Sequence, residues 1–118
     1  MANPTHDWPE VAAALSGAMR PWRQGAPETM AAFSGLAKAA LEPKALDTKT
    51  KELIALGIAV ATRCDGCIAF HAQAAVKQGA TRDEVMETMG MAIYMGAGPS
   101  VMYAAQALEA FDQFAAKV

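Results

Sequence analysis

The sequence predicts an all-α protein of about six helices, and three observations carry that reading. Hydrophobic residues fill 53% of the 118 positions, with Ala and Met abundant and β-branched residues scarce. Ala and Met lose little on entering a helix, whereas β-branched side chains give up χ1 freedom there. Apolar residues recur at three- and four-residue spacing along most of the chain, and no stretch alternates in the manner of a strand. Pro, Gly and Thr stand where helices would begin and end. A chain of this length fits one domain, taken as 1–118, and can bury a core without staples.

Residues 1–9 read as a loose leader. Pro9 suits a first helical turn, and residues 11–19 form a short helix that Pro21 closes, with Trp22 packing beneath it. Gly25 and Pro27 open the next unit, where Met30, Phe33, Leu36, Ala37 and Leu41 make a core stripe until Glu42 and Pro43 stop it. Thr48 is the expected N-cap of a helix running to about Thr62. Leu53, Leu56, Gly57 and Val60 line one side of it, and Ile54, Ile58 and Ala61 widen the apolar surface. Such a helix should lie centrally, packed on several sides. The next helix starts near Cys64 or Asp65 and ends near Gln78, with Gly79 as its C-cap. Thr81 followed by Glu84 matches a capping box, and Val85, Met89, Ala92, Ile93 and Gly96 form the inner face of the helix it starts. The turn Gly96-Ala97-Gly98-Pro99-Ser100 ends that helix. The last one begins at Pro99 or Ser100 and carries Val101, Ala104, Ala105, Leu108 and Phe111 inward. So much apolar surface makes a homo-oligomer the expected state.

Charge narrows the function classes. The formal net charge is −2, with no basic run and no aromatic stripe interleaved with cations, so nucleic-acid binding is not expected. Residues 88–108 carry no charge, but their glycines, Pro99 and Gln106 break the pattern, and no membrane span is expected. The N-terminal residues have neither a basic start nor an apolar run, so no signal peptide is expected, and a cytoplasmic location follows.

The chemistry gathers between residues 52 and 71. That stretch holds both cysteines, Cys64 and Cys67, and His71, one of two histidines; the other, His6, lies in a polar N-terminal tail. Two cysteines separated by two residues do not make a secreted disulfide framework and read as a redox pair or half of a metal site. On a helix, Cys67 and His71 share a face one turn apart. A thiol reacts as the thiolate, and the helix N-terminus and the imidazole could both favour that form. The second thiol could then resolve a mixed disulfide. Glu52 is the third candidate, able to reach His71 if its helix packs antiparallel to the next. Bland readings stand beside these. The cysteines can be small hydrophobes, Cys64, Cys67, His71 and a carboxylate could hold a structural zinc, Glu52 could pair at the surface with Lys49 or Lys51, and Asp65 reads as a local cap.

Glu52, the run Cys64-Asp65-Gly66-Cys67 and His71 together resemble the signature of the alkylhydroperoxidase D-like proteins within the carboxymuconolactone decarboxylase family. Residues 91–108 also look like the last two helices of that family, and the resemblance covers roughly residues 28–112. It implies an all-helical alkylhydroperoxidase D-like bundle that assembles as dimers, trimers or hexamers, with trimer or hexamer expected here, and a dithiol set in a small cleft. Trp22, Phe70 and Tyr94 are candidates for lining that cleft. The implied catalytic residues are Cys64, Cys67, His71 and Glu52, with Cys67 deprotonated through a relay from His71 to Glu52. No cofactor or metal is implied. The implied activity is thiol–disulfide exchange of the peroxidase, or peroxiredoxin, type. Its partners would be a peroxide substrate, a thiol or dihydrolipoyl electron donor, and a peroxiredoxin. Gly66 departs from the pattern, since the best-understood relatives carry a further histidine there, and this points to a shorter relay and weaker peroxidase activity. A non-catalytic helical oligomer with an inert or zinc-bound cysteine pair is the alternative. Lactone decarboxylation ranks below both, because the family's decarboxylases lack the dithiol.

Overall fold

A computed structural model describes residues 3–118 and places six helices along them. They are α1 Trp8–Ala18, α2 Arg20–Gly25, α3 Pro27–Leu41, α4 Thr48–Thr62, α5 Asp65–Lys77 and α6 Arg82–Ala115. The all-α expectation holds, but the six helices are divided differently. Pro21 does not merely close α1. It sits in the first turn of a separate short helix, α2, where its missing N–H costs nothing. Conversely, the last two expected helices run together as α6. The chain swings at Ala97, which adopts φ 56° and ψ −144°, and Pro99 then continues the helix on a new heading. A β-carbon on Gly96 would fall 1.9 Å from Ser100 Oγ, so the bend needs a glycine there.

Local chemistry accounts for most boundaries. The Asp7 side chain accepts from the Glu10 N–H, and Pro9 lies in the first turn of α1. Glu42 is extended ahead of Pro43, which ends α3. Asp47, not Thr48, caps α4, accepting from the Thr50 N–H at 2.7 Å. The Thr48 hydroxyl instead donates to the Leu41 carbonyl at 3.0 Å and ties α4 to the end of α3. Gly79 takes the left-handed φ of 78° after α5, and the Thr81–Glu84 capping box is complete, with both of its hydrogen bonds made.

The core lies where α4, α5 and α6 pack together, around Leu56, Val60, Ile68 and Val85, all fully buried. α1 closes the core against α5 and α6. Part of the expected loose leader belongs to this core. Trp8 is fully buried and donates from Nε1 to Glu109 Oε1 at 2.8 Å. The Trp8 backbone N–H donates to Gln113 Oε1 at 2.7 Å, and the Thr5 N–H to Glu109 Oε2 at 3.0 Å. A tryptophan that buries its rings and satisfies its N–H outweighs the polar residues around it. Residues 1 and 2 of that leader lie outside the described residues.

The opposite correction applies to α2 and α3. The stripe expected to be core has no buried residue. Phe33 and Leu36 are both exposed, and Trp22, expected to pack beneath α1, is 63% exposed. α2 packs on α1 and α3, and α3 on α2 and α4, and neither touches α5 or α6, so most of the apolar face they carry is left uncovered. α4 is central as expected, but Ile54 and Ile58 still face outward. Among the described residues, no helix is long and apolar enough to cross a membrane.

Candidate functional site

The α4–α5 turn builds the site. Arg63 adopts the left-handed conformation, φ 57°, after the last turn of α4, and the Cys64 N–H donates to the Ala59 carbonyl at 3.1 Å. This motif stops one helix and reverses the chain, so α5 runs back against α4. Cys64 is then the N-cap of α5, its sulfur accepting from the Cys67 N–H at 3.2 Å. That role had been expected of Asp65, which instead occupies the first turn. Cys64 and Cys67 are joined as a disulfide with their Cα atoms 5.2 Å apart. Both are half-buried, with the fully buried Ile68 and Ala69 directly behind them.

The chain reversal also brings Glu52 to His71. Glu52 Oε1 lies 2.7 Å from His71 Nδ1, the Glu52 side chain only 7% exposed and that of His71 34% exposed. The lysines named as surface partners for Glu52 are engaged elsewhere. Lys49 binds Glu84 at 2.8 Å, and Lys51 donates to the Glu42 carbonyl. A buried carboxylate needs a partner, and here the imidazole is that partner. With Glu52 ionised, the carboxylate can only accept, and the proton of this hydrogen bond then sits on His71 Nδ1. Cys67 lies one helical turn before His71 on the same helix. Among the described residues, no group of three or more His, Cys, Asp or Glu side chains is arranged to hold a metal ion.

Of the three aromatic candidates for a cleft lining, Phe70 alone is half-buried. It borders a cavity of about 340 Å³ with Pro9, Ala12, Val76 and Phe114. Trp22 lies against Met19, Met30 and Phe33 in an open apolar patch, and Tyr94 is exposed on α6. Two residues near the dithiol had no signal in the sequence. Leu15 of α1 lies over Gly66, so closely that a β-carbon on Gly66 would be 2.8 Å from Leu15 Cδ1. His6 Nε2 lies 3.8 Å from an oxygen of Asp65. The contacts join positions 51 and 59 residues apart, beyond anything local spacing reports.

Comparison with known proteins agrees with this architecture. A model of the carboxymuconolactone decarboxylase family matches residues 27–110. An uncharacterized protein of Cupriavidus necator is 44% identical over 89 residues, covering 75% of this chain and 79% of that protein. Another, from Haemophilus influenzae, is 41% identical over 106 residues, covering 90% and 94%. The apo crystal structure of a carboxymuconolactone decarboxylase family protein from Legionella pneumophila matches with a TM-score of 0.90 at 53% identity, covering 92% of this chain and 96% of that one. A Thermotoga maritima protein of the same family, named for a suggested involvement in antioxidative response, matches with a TM-score of 0.76 at 28% identity over 88% of each chain.

Proposed function

The chain belongs to the carboxymuconolactone decarboxylase family, and from that premise we propose that it is a CxxC-dependent thiol–disulfide oxidoreductase of the alkylhydroperoxidase D-like kind. The observation that carries this reading is the Glu52–His71 hydrogen bond placed one helical turn from the cysteine pair. A buried carboxylate that orients an imidazole beside a thiol is the arrangement that activates a nucleophilic cysteine. In the reduced protein, His71 takes the Cys67 proton while Glu52 supports the imidazolium. The thiolate attacks one peroxide oxygen, the O–O bond breaks, and the alkoxide leaves with the proton that His71 returns. Cys67 is then a sulfenic acid. Cys64 attacks its sulfur, the disulfide forms and water departs. A dithiol of the dihydrolipoyl class restores the pair by exchange, leaving as its own disulfide. A peroxiredoxin is the alternative electron acceptor. The cytoplasm, where thiol donors are maintained, suits such a cycle.

The working form in this reading is a homo-oligomer, because α2 and α3 hold an apolar face that the chain itself leaves uncovered; that it is a trimer or hexamer is what the family resemblance implies. The experiment is to mix the reduced protein with an organic hydroperoxide and count thiols by alkylation and mass spectrometry. Loss of both thiols within one chain, one pair per peroxide consumed, is expected. An inert pair would leave the non-catalytic oligomer as the better reading. A lactone decarboxylase would keep its activity when both cysteines are replaced by serine.

A further inference from the structure

The two residues between the cysteines, Asp65 and Gly66, are both met by the N-terminal segment. Leu15 lies over Gly66, and His6 stands opposite Asp65. That segment is not held by α5 alone. Glu109 and Gln113 of α6 fasten it through Thr5, Trp8 and the carbonyl of His6, which accepts from Gln113 Nε2 at 2.8 Å. His6 also lies against the Trp8 ring, centroids 4.5 Å apart. A chain of contacts therefore runs from α6 through residues 5–15 to the turn that carries the disulfide.

We propose that this segment is a redox-linked brace, with Leu15 and His6 as positioning residues that hold the Cys64–Cys67 turn in its disulfide conformation. Reduction breaks the S–S bond and forms two S–H bonds, with two electrons and two protons supplied by an external dithiol that becomes a disulfide. The sulfurs, no longer bonded, separate to non-bonded contact, and in this proposal the intervening Asp65 and Gly66 shift as they do. Leu15 leaves no room even for a β-carbon on Gly66, so that shift works against the docked segment. The brace and the disulfide stabilise one another. Linkage then requires that loosening the brace favour the dithiol by the same factor as reduction loosens the brace. The inference rests on the proposed function only in requiring that the pair cycle.

The test uses a Trp22→Phe background, in which Trp8 is the sole indole. The full-length protein is equilibrated with mixtures of reduced and oxidised dithiothreitol, and thiols are counted in the same samples from which Trp8 emission is read. Emission should shift to longer wavelength in step with the fraction reduced. Leu15→Ala should move the exchange equilibrium toward the dithiol by about tenfold, or ~30 mV for a two-electron couple. Glu109→Ala, which unfastens the segment on its far side, should shift it in the same direction. Trp8 emission that ignores redox state, or a Leu15→Ala equilibrium within about twofold of its parent, overturns the brace even if Glu109→Ala does not fold. A pair that never takes up and loses two thiols fails the thiol–disulfide reading itself, and the thiol count separates that outcome from the others.

Discussion

Glu52 and His71 lie 2.7 Å apart across the α4–α5 interface, the carboxylate buried and the imidazole partly open to solvent. The pairing follows from a reversal at Arg63 and Cys64 that sets two helices antiparallel, so that a residue early in α4 faces one midway along α5. It gives a partly exposed histidine a fixed orientation from a carboxylate that solvent barely reaches.

The anchoring of Trp8 should be measurable as stability. Trp8→Ala removes a fully buried ring from the junction of α1, α5 and α6 and should cost about 3–5 kcal/mol. Trp8→Phe keeps most of the apolar contact but loses the indole donor to Glu109 and should cost about 1–2 kcal/mol. Urea unfolding of both variants checks the order.

The same anchor should be sensitive to acid. Burial raises the Glu109 carboxyl, but the hydrogen bonds from Thr5 and Trp8 outweigh it and hold the group below its usual range. A depressed carboxyl contributes stability above its unfolded pKa and loses it as pH falls through the folded value. Trp8 emission in a Trp22→Phe background should therefore report a loosening well below pH 5. Glu109→Gln should remove that dependence while lowering stability at neutral pH.

The bend in α6 offers a controlled pair. Gly96→Ala forces a methyl to within 1.9 Å of Ser100 Oγ, beside the buried Ser100, and should cost about 1–3 kcal/mol. Gly98→Ala, with nothing within 4 Å of its β-carbon, should be close to neutral. Equal effects in thermal unfolding would mean that the close approach at Gly96 does not decide the residue there.

How much of this was legible depended on distance along the chain. The Thr81–Glu84 box and the left-handed Gly79 are local chemistry, and both could be read directly. Asp47 and Thr48 are both good N-cap residues, so pattern could not choose between them. The stripe on α3 was visible as a stripe, but periodicity reports that a face is apolar and not what covers it. The Glu52–His71 pairing could be framed because one helix reversal sufficed to create it. Trp8 on Glu109 and Leu15 on Gly66 depend on where α1 docks, which no spacing within α1 encodes.

The uncovered face of α3 should set the assembly. Phe33→Glu with Leu36→Glu places charge on two exposed apolar positions, which should leave the fold of the single chain intact and shrink the oligomer. Sedimentation of wild type and variant at the same concentration is the measurement. A wild-type species of 12.4 kDa would remove the oligomer proposal outright.

The relay makes the sharpest demand, because it separates chemistry from packing. If His71 is the immediate base for Cys67, His71→Ala should slow alkylation of the reduced protein near neutral pH. At high pH, where the thiol ionises without help, the variant should largely catch up. Glu52→Gln keeps the shape but removes the charge that supports the imidazolium, so its defect should follow the same pH trend. A general base typically contributes about 10²–10⁴-fold, and the lower end is expected because a thiol needs less assistance than a hydroxyl. The double variant should lose less than the product of the two single defects, since both residues serve one proton path. The comparison is made in a Cys64→Ser background, so that Cys67 is the one thiol present. A His71→Ala profile that overlays the parent at every pH would make the histidine a packing partner for Glu52 and nothing more.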